Sequence, residues 1–152
     1  MSVQASRVTT TIDAPPSEVW AALTDKGKMK VFFFGSDIDT NWQVGSPIRF
    51  RGDCKGTKYE DKGVIKAFEP GKRLTFTHWS PLTKVPDTPE HYHTVTFELS
   101  PKGKQTEVAL TQENENDSEL RTQQAREELK KNWSMLLAGL KKVVEEQRVG
   151  VS

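Results

Sequence analysis

Between Asp37 and Gln112 apolar and polar residues alternate, and from Leu129 onward apolar residues recur every three or four positions. The first period is that of half-buried strands, the second that of an amphipathic helix. In KRLTFTHWS, Leu74, Phe76 and His78 share one face, with Thr75, Thr77 and Trp79 on the other. In HYHTVTFEL, His91, His93, Val95, Phe97 and Leu99 share one parity. Turn signals at Gly45-Ser46-Pro47, Lys55-Gly56, Pro70-Gly71 and Lys102-Gly103-Lys104 divide the region. They predict strands near 37–43, 47–54, 57–69, 72–80, 91–100 and 105–113. In 47–54, Ile48 and Phe50 lie on one side with Gly52 and Cys54, while Arg49, Arg51 and Asp53 face water. Ile65 and Phe68 differ in parity, which a bulge near Lys66-Ala67 would reconcile. The connection 81–90 holds three prolines and reads as a surface loop at the sheet rim.

The flanks complete the order of elements. SRVTTTIDA is rich in β-branched residues and predicts a first strand. Asp13-Ala14-Pro15-Pro16 then opens a helix carrying Val19, Trp20, Ala22 and Leu23, which ends by Asp25-Lys26-Gly27. A second short helix is expected around Lys28–Phe32. Asn116, Asp117 and Ser118 are candidate N-caps for the last helix. Its broad stripe of Leu129, Trp133, Leu136, Leu137, Leu140, Val143 and Val144 must cover something wide, and the sheet is the expected partner. Gly139 sits within that stripe. Glycine inside a helix costs about 0.5–1 kcal/mol relative to alanine, so it implies close approach to the sheet or room for a ligand.

Size and charge narrow the function classes. The 152 residues suit one domain spanning 1–152 with a sizeable core. Lys and Arg number 22 against 21 Asp and Glu, which removes the electrostatic case for nucleic acid or an acidic membrane surface. Cys54 is the single cysteine, so no internal disulfide can form and a reducing, cytoplasmic setting is expected. MSVQASRVTTTIDAPP has no basic start followed by an apolar run, so no signal peptide is expected, and no apolar window is long enough for membrane insertion.

Several runs together carry a family resemblance. APPSEVWAALTD, TNWQVGSPIRFRG, GVIKAFEPGKRLTFTHW, TVTFELSPKGKQTEVALTQ and NWSMLLAGLKKVVE resemble, in order, successive blocks of the Hsp-90 ATPase activator-like family of the START-like (SRPBCC, Bet v-type) superfamily. They cover nearly the whole chain. The resemblance implies an α+β helix-grip fold: a curved antiparallel sheet of six to seven strands around a long C-terminal helix, two short helices after the first strand, and a cavity between sheet and helix. Gly45-Ser46-Pro47 stands where the family often has paired glycines, which alters a turn. The blocks imply no catalytic motif, metal or cofactor, and chaperone activation is not implied for a single domain.

The expected function is binding of a small, largely hydrophobic ligand in that cavity, lined by Phe50, Phe76, His78, His93, Val95, Phe97, Trp133 and Leu137. Pairing Ser80 with His91 would set His78 opposite His93, with side chains about 4.5–5.5 Å apart at Cβ. Three readings of the histidines stay open: surface or structural groups, a polar anchor for the ligand, and a transition-metal site. No carboxylate with suggestive spacing completes the metal reading, and Asp53 and Glu60 cannot be placed beside the rings from sequence. An enzyme of cyclase or hydrolase type using a cavity histidine, and a protein-interaction module with a chaperone partner or a second copy of the chain, are the alternatives.

Overall fold

The computed structural model describes residues 4–33, 35–54, 56–80, 86–88, 91–114 and 123–150. In chain order the elements are β1 (Gln4–Ile12), α1 (Pro16–Leu23), α2 (Lys26–Phe32), β2 (Asp37–Asp39), β3 (Pro47–Cys54), β4 (Thr57–Glu69), β5 (Arg73–His78), β6 (His93–Lys102), β7 (Gln105–Asn114) and α3 (Gln123–Gly150). The strands form one antiparallel sheet in the order β1-β7-β6-β5-β4-β3-β2. The expected N-caps 116–118, most of the loop 81–90 and the side chain of Cys54 lie outside the described residues.

Local chemistry explains most boundaries. Pro16 starts α1, where a missing N–H costs no hydrogen bond, and Asp25 caps α2 by accepting from the Lys28 N–H at 3.0 Å. The expected bulge is present: the β4–β5 register shifts between Ile65 and Ala67, which turns both Ile65 and Phe68 toward the helices. The strand expected over 37–43 is shorter, ending at Asp39. Trp42 adopts a left-handed φ of +62°, which no continuing strand tolerates. Its N–H donates to Thr40 Oγ1 at 3.3 Å and its ring packs on Phe68, with centroids 5.8 Å apart.

The core lies between the concave face of the sheet and the helices. Ile48, Phe50, Ile65, Leu74, Phe76, Val95, Phe97, Val108 and Leu110 supply the sheet side. Trp133, Leu136, Leu137, Leu140 and Val144 supply the α3 side. The α3 helix lies along β1 and against α1 and α2, so its broad stripe is shared between a sheet edge and two helices rather than spread over the sheet alone. Gly139 follows from this. A methyl built on it would stand 3.1 Å from Phe32 Cβ and 3.4 Å from Phe32 Cα. The close approach inferred for Gly139 is real, but its partner is α2 and not a strand.

The outer face is polar, as the parity of 47–54 predicts. Arg51 bridges Glu60 at 3.2 Å and Asp39 at 3.4 Å, and Arg49 reaches Glu60 at 3.4 Å. These pairs are half exposed and screened by solvent, so each contributes little to stability.

Candidate functional site

A row of polar side chains crosses one end of the concave face. The β5–β6 register pairs His78 with His93, as the sequence predicts, and their rings stack with centroids 6.1 Å apart. His91 does not join them. It precedes β6 in a single tight turn, hydrogen-bonded through Nδ1 to Thr88 Oγ1 at 2.8 Å. The sequence places all three rings on the apolar side because it extends β6 two residues too far.

Asp61 supplies what the sequence reading could not. Its Oδ2 lies 3.0 Å from His78 Nε2, and the two side chains are only 14% and 20% exposed. Asp53 and Glu60 are excluded as partners. Asp53 Oδ1 accepts from the Gly56 N–H at 2.8 Å, and Glu60 is held by the two arginines on the outer face. A signal for Asp61 did exist. The turn signal at Lys55-Gly56, taken as a two-residue connection, implies the register that the strands show, with Phe50 opposite Asp61, and Asp61 shares the inward parity of Gly63 and Ile65.

Close strand crossing positions the dyad. Lys62 pairs with Trp79 through backbone hydrogen bonds of 2.8 and 2.9 Å, beyond the regular β4–β5 ladder. Between that bridge and the ladder, Gly63 passes so near β5 that a Cβ there would collide with the Thr77 carbonyl. Only glycine permits this approach, which carries Asp61 to the ring of His78. The Phe50 ring closes the other side of His78 edge-on, with centroids 5.4 Å apart.

Around the dyad lie further buried polar groups. Trp133 Nε1 donates to Gln112 Oε1 at 2.9 Å, tying α3 to β7. Ser6 and Ser80 are buried, and Ser36 Oγ and Tyr59 OH share a hydrogen bond of 2.9 Å. The eight residues singled out as ligand contacts thus fall into two groups. Phe50, Phe76, Val95, Phe97 and Leu137 are at most 1% exposed, their rings in mutual contact. His93 and Trp133 are buried but not sealed, and His78 is half-buried at the end of the row. Among the described residues no group of three metal-ligating side chains is assembled.

A separate concavity of about 630 Å³ lies on the outer face, lined by Lys62, Val64, Lys66, Thr77, Asp87, Tyr92 and Thr94 together with Gly63. There Asp87 receives hydrogen bonds from Lys62 and Tyr92, which hold its carboxyl below the usual range. Burial, and then the bond to Asp87, push the Tyr92 phenol up to about 12.

A curved antiparallel sheet closed over a long C-terminal helix, with two short helices after the first strand, defines a START-like helix-grip protein. The fold is shared with Ara h 8.0201, at a TM-score of 0.73 and 11% identity over 95% of this chain and 99% of that one. The family is narrower. Residues 13–145 match the model of the activator of Hsp90 ATPase homolog 1-like proteins, and the chain belongs to that family. It is similar to ChR145 from Cytophaga hutchinsonii, whose solution structure has a TM-score of 0.81 at 39% identity over 98% of this chain and 99% of that one. It is also similar to the Aha1 dimer from Colwellia psychrerythraea, with a TM-score of 0.71 at 24% identity over 93% and 96%. No curated protein matches. No described helix is long and apolar enough to cross a membrane.

Proposed function

We propose that this domain binds a small, largely apolar molecule with one polar end, held between the sheet and α3. The observation that carries the reading is the polar row itself. Asp61 and His78 lie inside an otherwise apolar concave face, next to His93 and Gln112. Burying such groups costs free energy even when they are paired, and a core needing only stability does better with apolar residues of similar volume. In this reading Phe50, Phe76, Val95, Phe97 and Leu137 form the apolar wall, while His78, His93 and Trp133 meet the polar end. The wall is closely packed, so uptake requires side-chain rotation or a shift of α3.

The test is a panel of apolar molecules with varied polar ends, read by native mass spectrometry and thermal shift. Saturation at a hundredfold over Kd should add about 2.7 kcal/mol to stability. A panel in which no compound forms a complex or raises the melting temperature would sink the proposal.

A second reading has a specific observation in its favour. A histidine oriented by a carboxylate is the arrangement of a general base, so an enzyme acting through His78 is the leading alternative. Substrate turnover lost in His78→Gln, with binding retained, would favour it. The dimeric state of the Colwellia relative makes a homodimer the assembly to test first, by light scattering.

A further inference from the structure

The dyad limits which polar end the ligand carries. A carboxylate oxygen accepts hydrogen bonds, so the contact between Asp61 Oδ2 and His78 Nε2 requires the proton to sit on Nε2. In the neutral ring Nδ1 is then a bare acceptor. Nδ1 has no hydrogen-bond partner among the described residues, and the His78 side chain keeps 20% of its surface exposed, which leaves the ring within reach of an incoming group. Asp61 Oδ1 is a further acceptor that no described donor meets. With the ring neutral, the Asp61–His78 dyad therefore presents acceptors and a negative charge to an incoming group.

Resting on the ligand-binding reading above, we infer that His78 Nδ1 selects ligands whose polar end is a hydrogen-bond donor, a hydroxyl or N–H, and that Asp61 is the positioning residue that fixes this choice. A phenol or alcohol places its O–H on Nδ1 and its apolar body against the Phe50 and Phe76 rings. A carboxylate of the same shape offers no proton to Nδ1 and is repelled by Asp61. An ether of the same shape has lost the donor and gains nothing from the dyad.

Three probes of one shape separate these cases: 4-butylphenol, 4-butylanisole and 4-butylbenzoate, measured by calorimetry on wild type, His78→Phe and Asp61→Leu. One hydrogen bond formed in a partly desolvated site corresponds to about tenfold in affinity. The phenol should bind wild type about tenfold tighter than the anisole, with the benzoate weakest. His78→Phe should abolish the phenol's advantage while the anisole still binds, which also shows that the variant folds. Asp61→Leu should shrink that advantage, and ¹⁵N chemical shifts should show His78 changing from a single Nε2–H tautomer to a mixture. A benzoate that matches the phenol on wild type overturns the inference but leaves ligand binding intact. So does a phenol advantage that survives His78→Phe, or an unliganded His78 carrying its neutral-state proton on Nδ1. If none of the three binds wild type, the ligand-binding reading falls and takes this selectivity with it.

Discussion

The same strands run through two unlike ends of one sheet face. At one end Phe68 packs edge-on to Trp20 at 5.2 Å and against Trp42, beside fully buried Leu74. At the other end the inward positions of β4, β5 and β6 are Asp61, His78 and His93. Parity is equivalent, yet one end is aromatic and aliphatic and the other is a polar row. The apolar end is what any sheet closing over helices needs. The polar end costs desolvation and relies on a glycine crossing at Gly63, so stability alone does not account for it.

The largest loss is expected at the middle of this face. Phe76→Ala removes a ring that touches Phe33, Phe50 and Phe97, and it should cost about 3–5 kcal/mol in urea unfolding. A loss under 1 kcal/mol would mean that the wall is already loose. Gly63→Ala drives a methyl into the Thr77 carbonyl and should cost about 3 kcal/mol, the upper range of overpacking, while the apolar end keeps its slow amide exchange. Equal loss of protection at both ends would show that the crossing serves the whole sheet.

A double-mutant cycle sharpens the contrast. His78→Leu leaves Asp61 Oδ2 without its partner and should cost about 1–3 kcal/mol. Adding Asp61→Leu should restore stability to near or above wild type, because both polar groups are then gone. Further destabilisation in the double variant would place the dyad among the stabilising contacts and remove the argument for function. Gly139→Ala is a smaller perturbation. Helix propensity gains up to about 1 kcal/mol, but Phe32 must yield by a few tenths of an ångström, so a net loss of about 1 kcal/mol is expected. The same change paired with Phe32→Ala should become stabilising.

The smallest effect lies on the outer face. The Tyr92 phenol is raised to about 12, against about 10 for a free phenol. A raised value means that its contribution to stability is intact below pH 10 and disappears as pH climbs toward 12. Absorbance titration of the tyrosines should show one late phenol, and Asp87→Asn should bring it down. An unchanged late titration in that variant would assign the shift to burial alone.

Strand existence, parity, the bulge and the family were all legible in the chain. Alternation with period two, a break between Ile65 and Phe68, and glycine or proline turns are local signals, and sheet pairing follows from them whenever the turns are short. The facing of His78 and His93 was legible for the same reason, since Phe76 and Val95 pin the register from the apolar side. His91 was misread because parity continues formally past the point where hydrogen bonding stops. Asp61 was missed because its partner lies on another strand across an irregular crossing, and a residue's own neighbours do not show which ring it will meet.

What the sequence determined by itself was a periodicity, and periodicity specifies which face of each element is buried. Long-range packing then chose the partner that each buried group meets. It set Gly139 against Phe32 rather than a strand, divided α3 between β1 and the two short helices, and brought a carboxylate to one nitrogen of one imidazole. The physical reason is range. Burial is read from the spacing of residues along the chain, whereas a hydrogen bond requires two atoms within about 3 Å, and that distance exists only after the sheet has curved and its strands have crossed.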